Sequence, residues 1–552
     1  MPDDVSRRRE HGHAVGGRSA VNHLNEWIDC SVGGLLVQRA TADPHGVAVQ
    51  WLVDGDLASF SWAEVAALAN AGARRLRASH NPLGAVALWA PNSVAWYLAM
   101  WSAALSGRPL VPLNPNLTLA EAVVAIADSA VSTVLTVEDF RGRPLRTLIK
   151  SEWGDGGASE VWNIDAWPAV EGTALQCVDR AGTDESSECV EPVDPAQPFV
   201  IQYTSGTTGA PKGAVLSHSA CVNAARTLAA GVNPTRHEIW CSPMPLHHVG
   251  GLIAFALAPA AVAGTFVLVE DFTAESFHRC ALLSRATLLG GVPTLYLRML
   301  DHPSLAARPL PHLRTVIIGG ASIPSELVRR VEERFDASAI VFYGQSEAPA
   351  ITQTALEDTS ATKATTIGRP LPLREVRLVD PVTGSDAKPG EVGEIWVRTR
   401  IRMNGYLNRP EATAETIDPN GWLHTGDIAA ANPDETLQFR GRLKDMILRG
   451  GENIYASEVE AAIDSLSGVA QVAVVGLPDD RWGEIVAAMV VPERGVELSP
   501  QLLDAAVANQ LAPFKRPVIW KFVESLPLTA SGKPQKFKIV ESMTPLGNGK
   551  AE

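Results

Sequence analysis

The chain of 552 residues is too long for one compact core, and 46% hydrophobic with 20% charged residues is the balance of an ordinary soluble protein. A formal net charge of −14 argues against a nucleic-acid binder and against a surface that seeks anionic lipid, so an anionic substrate must meet locally placed Lys and Arg. The six cysteines (Cys30, Cys177, Cys189, Cys221, Cys241, Cys280) form no CxxC pair and the thirteen histidines no HExxH pattern, which points to reduced thiols, a cytoplasmic protein and no zinc site.

Residues 1–23 are polar and read as a disordered N-terminal extension. Arg7-Arg8-Arg9 resembles a twin-arginine start, but no apolar core follows it, so no export signal is expected. Helix and strand patterns then alternate: helical spacing over Trp62–Leu76, a strand at Ala85–Trp89, a helix over Ser93–Leu105 and a strand from Pro109. This alternation predicts an α/β protein of open, mostly parallel, doubly wound sheets covered by helices. Gly154–Pro198 is Gly-, Ser- and acid-rich in parts and reads as a surface connection.

Two uncharged runs, Gly84–Gly107 and Gly250–Val269, have the length of a membrane span. Pro91-Asn92-Ser93 interrupts the first, and Pro259 and Gly264 interrupt the second. Both therefore read as buried elements, the second as a helix followed by a strand at Thr265–Val269.

Tyr203–Ala214, YTSGTTGAPKGA, follows the apolar strand Phe199–Gln202. Thr204, Ser205, Thr207 and Thr208 interleave with Gly206, Gly209 and Gly213, and Lys212 sits near the end. Glycines at this density let successive N–H groups turn toward one ligand. The hydroxyls add neutral donors and Lys212 a mobile positive charge, a set that suits polyphosphate oxygens. A flexible Gly/Thr surface loop is the bland alternative, and the preceding strand and single lysine argue against it. No GxxxxGK[ST] string occurs, so this is not a Walker A loop.

Downstream, Ser217 is a plausible N-cap for a helix through about residue 230. A strand at Ala286–Leu289 and a helix over Val292–Leu300 follow. A strand at Arg314–Ile318 ends at Gly319-Gly320-Ala321, and Pro324 is placed in the first turn of the next helix. The strand Ala339–Phe342 leads into YGQSE. From about 365 to 440 the texture is strand-rich and barrel-like, with Glu375–Val379, Gly393–Arg398 and Thr436–Arg440. A smaller α+β unit follows, with helices near Ala456–Ser465 and Pro500–Leu511 and strands at Val469–Val475 and Ile485–Val491. The expected division is 24–442, 443–541 and a tail, 542–552.

These motifs together resemble the adenylate-forming superfamily, which includes acyl-CoA synthetases, luciferases and adenylation domains. The phosphate loop comes first. PLHHVGG at Pro245–Gly251 is similar to the segment beside the acyl pocket, and Gly319–Ala321 and Tyr343–Glu347 to the adenine-side segments. GWLHTGDI at Gly421–Ile428, GRLKD at Gly441–Asp445, GGENI at Gly450–Ile454 and LTASGKPQK at Leu528–Lys536 complete the order. The match runs from roughly residue 30 to 540.

The resemblance implies ATP, Mg2+ and coenzyme A as cofactors and a small C-terminal domain that rotates between two half-reactions. By it, Thr204, Ser205, Gly206, Thr207, Thr208, Gly209 and Lys212 hold phosphates, and Gly319, Gly320, Ala321, Tyr343 and Gly344 hold adenine. Ser346 meets the α-phosphate, Glu347 binds Mg2+, Asp427 the ribose, and Arg442 ribose or phosphate. Lys533 bridges carboxylate and α-phosphate during adenylation. Lys444 is the hinge, and Gly450 and Gly451 leave space for the pantetheine arm. The acid lies among His247, His248, Val249, Val292, Gly320 and Ala348, where His248 closes the carboxylate end and His247 replaces the usual Phe or Tyr. Several of these have blander readings: Tyr343 as core packing, Lys533 as a solubilising lysine, His247 as a satisfied imidazole.

The expected activity is ATP-dependent activation of a carboxylic acid to acyl-AMP with release of pyrophosphate, then thioester formation with coenzyme A. Transfer to a carrier protein is the alternative, this chain being expected to have no carrier domain of its own, as is capture by a non-thiol acceptor. A non-catalytic nucleotide-binding regulator is disfavoured by the presence of Lys212, Glu347, Asp427 and Lys533. No Lys or Arg among the pocket positions points to a second carboxylate, so the expected partner is a monocarboxylic acid, aryl or aliphatic. Neither nucleic acid nor integral membrane association is expected.

Overall fold

The computed structural model describes residues 23–153, 160–167, 192–204, 211–235, 237–271, 273–302, 305, 308–320, 323–450, 452–508, 510–528 and 534–544. Within them the strands form four sheets. In the first, seven-stranded sheet, Ala85–Trp89 lies between Leu110–Leu113 and Val131–Thr136, all parallel, with Glu160–Asn163 at one edge. On the other side the sheet continues through Pro198–Thr204, its antiparallel partner Lys212–Ser217 and the two-residue strand Gly405–Tyr406. The second, nine-stranded sheet has Thr265–Leu268, Ile239–Ser242, Leu288–Gly291, Thr315–Gly319 and Ser338–Tyr343 as its parallel centre. Strands buried on both faces lose the polar alternation of a half-exposed sheet, and Ala85–Trp89 and Thr315–Gly319 are buried at every position.

The helices form where caps and spacing agree. Ser61 and Glu64 make a capping box at the start of Trp62–Arg77, which buries Val65, Ala69, Ala73 and Leu76 on one face. Ser93 caps Val94–Ser106, and Gly107 at φ 76° ends it. The helix His218–Gly231, capped by Ser217, is buried through Ala230, and one apolar cluster joins it to both large sheets. Fully buried Trp96 and Trp101 each contribute about 2–3 kcal/mol to that core by removal from water. A buried cation braces it: Arg108 donates to the carbonyls of Gly84 (2.6 Å) and Leu76 (3.0 Å) and to Ser132 Oγ (2.7 Å).

The strand-rich stretch is a four-stranded antiparallel sheet of Glu375–Val379, Val392–Arg398, Trp422–Ala431 and Leu437–Arg442. A five-stranded sheet with its own apolar core, including Ile447, Val459, Val474 and Val490, makes the small C-terminal α+β unit. The fold is thus α/β with a large N-terminal part and a small C-terminal one.

Four details differ from expectation. Glu160–Asn163, inside the predicted surface connection, is a strand because it pairs in parallel with Val131–Thr136, a partner invisible in its local composition. Pro324 is the N-cap of Ser325–Phe335 rather than a first-turn residue. Gly250–Leu257 is a π-helix, in which Ala258 N–H reaches Ile253 O. Pro259 brings no N–H to this ladder, and Gly251 is pressed so close to Pro245 that a Cβ would lie 2.1 Å from its carbonyl oxygen. The last helix, Lys536–Met543, keeps Ile539 and Met543 buried, so packed chain extends past residue 541. Of the N-terminal extension, residues 1–22 lie outside the described residues.

Candidate active site

The phosphate-loop stretch is framed by a hairpin. Thr204 pairs with Lys212 across it, and Thr204 Oγ1 donates to Lys212 O at 3.4 Å. Ser205, Gly206, Thr207, Thr208 and Gly209 lie outside the described residues, as do Ala321, Gly451 and Lys533. Two neighbours hold the hairpin. Tyr203 donates its hydroxyl to Asp128 Oδ2 at 2.8 Å, and Gln202 Nε2 donates to His247 O at 3.1 Å. The second bond ties the hairpin to the segment expected beside the acid.

The adenine-side segments emerge together because their strands are parallel neighbours. Gly291 is registered with Ile318 and Gly319 with Phe342, so the Gly291-Val292, Gly319-Gly320 and Tyr343-Gly344 ends share one sheet edge. Ligands of open α/β sheets bind outside such carboxyl ends. Gly319 has no room for a side chain, since a Cβ would lie 2.5 Å from Phe342 Cε1, and Gly320 adopts φ 80°. At Gly344 a Cβ would meet Ala350 N at 2.4 Å, in a turn closed by reciprocal Gln345–Ala348 backbone bonds.

Asp427 and Arg442 face each other on adjacent antiparallel strands, with Arg442 Nε 3.4 Å from Asp427 Oδ1. Tyr343 donates its hydroxyl to Asp427 Oδ2 at 2.7 Å. Burial, then the Asp427 carboxylate, push the Tyr343 phenol well above its ordinary range, so it stays a donor. Asp427 is itself buried, and so is Ser346. A carboxylate has about four lone-pair sites, so one such group can accept from more than one donor at once.

Glu347 and Lys212 meet around Tyr406. Tyr406 donates its hydroxyl to Glu347 Oε1 at 2.8 Å, and Lys212 Nζ lies 5.2 Å from the centroid of its ring. Burial, then Glu347, raise the phenol above its usual range. Among the described residues no group of three or more His, Cys, Asp or Glu forms a metal cage. One oriented carboxylate fits Mg2+, which characteristically takes one or two carboxylates with water and substrate phosphates.

On the acid side, Asn92 fastens the loop before the π-helix: Leu246 N–H donates to Asn92 Oδ1 at 2.9 Å, and Asn92 Nδ2 donates to Met244 O at 3.0 Å. Burial first, then His248, bring the half-buried His247 imidazole down to about 3, so it is neutral at physiological pH. His248 is exposed, and its Nδ1 accepts from Gly250 N–H at 3.2 Å. Val249 is buried and Val292 half-buried, 3.7 Å from the Cβ position of Gly320. Ala348 is fully buried in a cluster with Ile351, Val397 and Leu423.

In the C-terminal unit Lys444 is exposed within the turn Leu443–Asp445. Lys536, at the start of the last helix, is 2.8 Å from Glu460 and 3.7 Å from Asp445. Leu528 and Pro534 form an isolated antiparallel bridge. Gly450, at φ 60°, donates its N–H to Trp482 O at 2.7 Å and lies under the Trp482 ring. Asp128, Asn92, Tyr406 and Trp482 were not expected from sequence; only Asn92 stood in a recognised turn, and nothing local marked the others.

A family model described as AMP-binding enzyme matches residues 36–407, and that of the AMP-binding enzyme C-terminal domain matches residues 458–533. Over 550 residues the chain is 33% identical to the putative acyl-CoA synthetase YngI of Bacillus subtilis (strain 168), covering 95% of this chain and 99% of that one. A feruloyl-CoA synthase of an Amycolatopsis species is 33% identical over 513 residues, with 92% and 98% covered. The crystal structure of ATP-bound MatB from Rhodopseudomonas palustris is similar with a TM-score of 0.81 and 27% identity, covering 93% of this chain and 99% of that one. This chain therefore belongs to the AMP-binding, adenylate-forming enzymes, and among them to the acyl-CoA synthetases.

Proposed function

We propose that this acyl-CoA synthetase acts on a monocarboxylic acid of modest size, aryl or aliphatic, through the residue roles that follow. A carboxylate oxygen attacks the α-phosphate of ATP and pyrophosphate leaves. The thiol of coenzyme A then attacks the acyl carbon and AMP leaves. The observation that carries the reading is the linkage of three recognition groups across different sheets: Lys212, paired with Thr204, lies over the Tyr406 ring, Tyr406 bonds Glu347, and Tyr343, four residues before Glu347, bonds Asp427 beside Arg442.

Thr204 to Gly209 and Lys212 cradle the outer phosphates, and Glu347 is the protein ligand of Mg2+, which when bound neutralises phosphate charge. Asp427 accepts from the ribose hydroxyls while Tyr343 and Arg442 hold its carboxylate in place. Gly319, Gly320, Ala321 and Gly344 give adenine its slot, and Ser346 donates to the α-phosphate. Lys533 supplies the cation at the reacting oxygens. Leu443–Asp445 is the pivot between residues 24–442 and 443–541, and rotation there brings Gly450 and Gly451 to the site for the thiol step. His248, which is exposed, closes the carboxylate end, while neutral His247, Val249, Val292 and Ala348 supply a wall without charge. That wall supports a monocarboxylic acid.

The described cysteines, Cys30, Cys221, Cys241 and Cys280, are free and buried, which supports a cytoplasmic location. Among the described residues no helix is long and apolar enough to cross a membrane. The test is pyrophosphate release from a panel of acids with ATP, run with and without coenzyme A. Acid-dependent release with a coenzyme A thioester as product is expected. Release without thioester would transfer the second step to another acceptor.

A further inference from the structure

The bridge between Lys212 and Glu347 is a four-point clamp made by one short segment. Asn404 N–H donates to Val215 O at 2.7 Å and Leu407 N–H to Gly213 O at 2.8 Å, which zips the segment onto the strand leaving the phosphate loop. Met403 N–H donates to the backbone carbonyl of Glu347 at 2.7 Å, and the Tyr406 hydroxyl takes Oε1 of the same residue at 2.8 Å. The Tyr406 ring meanwhile lies under Lys212 Nζ, within the range of a cation–π contact. Its backbone is anchored independently, Tyr406 N–H donating to Thr413 Oγ1 at 2.9 Å.

We propose that Tyr406 is a positioning residue that sets the metal-binding carboxylate and the phosphate-loop lysine at a fixed separation, so that Mg2+ and the outer phosphates are held as one unit. This rests on the roles given above to Glu347 and Lys212. The chemistry follows from the geometry. A phenol donating to one carboxylate oxygen fixes the plane of the group and directs the other oxygen's lone pairs. Outer partners of this kind typically set metal affinity by about 10–100-fold. The same ring confines Lys212, a long side chain with considerable rotamer freedom, to one arc. Neither partner reaches the other through local sequence: Glu347 and Tyr406 are 59 residues apart, and Lys212 belongs to another strand pair.

Two variants separate the hydroxyl from the ring. Tyr406→Phe keeps the ring under Lys212 and loses the bond to Glu347; Tyr406→Leu loses both. ATP binding to the full-length chain is measured by titration calorimetry across a Mg2+ series, without any acid, so that the acid's identity does not enter. Tyr406→Phe is expected to need about tenfold more Mg2+ than the parent to reach its tightest ATP affinity, with excess Mg2+ bringing it back toward the parent. Tyr406→Leu is expected to show that displacement and also weaker ATP binding, by roughly threefold, at every Mg2+ concentration. A merely structural role would lower the melting temperature without moving the Mg2+ dependence. Should the Leu variant fail to fold, the Phe variant still decides the carboxylate half. Superimposable Mg2+ curves for parent and Tyr406→Phe would overturn this inference alone. Absence of ATP binding by the parent would overturn it together with the proposed function.

Discussion

Asp427 gathers Tyr343 and Arg442 on one buried carboxylate, and both come from residues expected at the nucleotide. Asp427→Ala leaves Tyr343 and Arg442 without that acceptor and removes the proposed ribose partner. A charged hydrogen bond is worth about 1.5–3 kcal/mol, so ATP affinity should fall by roughly ten- to a hundredfold. Calorimetric titration of ATP measures this, and an unchanged affinity with unchanged turnover would remove Asp427 from the ribose site. Lys533 makes a different demand. If it serves only adenylation, Lys533→Ala should slow acyl-AMP formation by ~10²–10³-fold, the usual cost of a charge-stabilising group. Thioester formation from supplied acyl-AMP should be spared, and equal losses in both steps would contradict the role.

At the scale of elements, the turn Leu443–Asp445 follows the strand that carries Arg442 and leads into the C-terminal sheet. It stands in the motif that the resemblance assigns to the hinge, and torsion there moves everything beyond it. Lys444→Pro restricts φ to about −65° and constrains Leu443 as well. One half-reaction should therefore fail while the other continues, measured separately as pyrophosphate release and as thioester formation from supplied acyl-AMP. A folded variant that loses both steps, or neither, speaks against rotation at this residue. Among the contacts that such a rotation would have to loosen is the bond from the Ser457 hydroxyl to the Arg440 carbonyl, across the proposed boundary.

Stability of the whole molecule is tied to buried imidazoles. His218 is fully buried, accepts at Nδ1 from Val32 N–H at 3.3 Å and packs against Phe199. Burial lowers it from 6.5 to about 4, against a smaller opposing pull from Asp194. Between those values the unfolded chain binds more protons than the folded one, so this contribution is present above pH 6.5 and is lost as pH falls toward 4. Complete loss amounts to about 3 kcal/mol. Melting temperatures between neutral and mildly acidic pH should thus fall less steeply for His218→Gln than for the parent, and parallel slopes would refute the assignment. Much else was legible without coordinates. Ser217 announced a helix as its cap, helical spacing announced Trp62–Arg77, apolar runs such as Ala85–Trp89 announced buried parallel strands, and the ordered motifs named the family. These signals are local, because capping, helical spacing and loop chemistry act over a few residues. The contacts made by Tyr406, Asp128 and Asn92 carried no such signal, since their partners Glu347, Tyr203 and Leu246 are 59, 75 and 154 residues away. Only the packing of one sheet against another, and the register with which a two-residue strand joins an edge, brings those side chains within bonding distance.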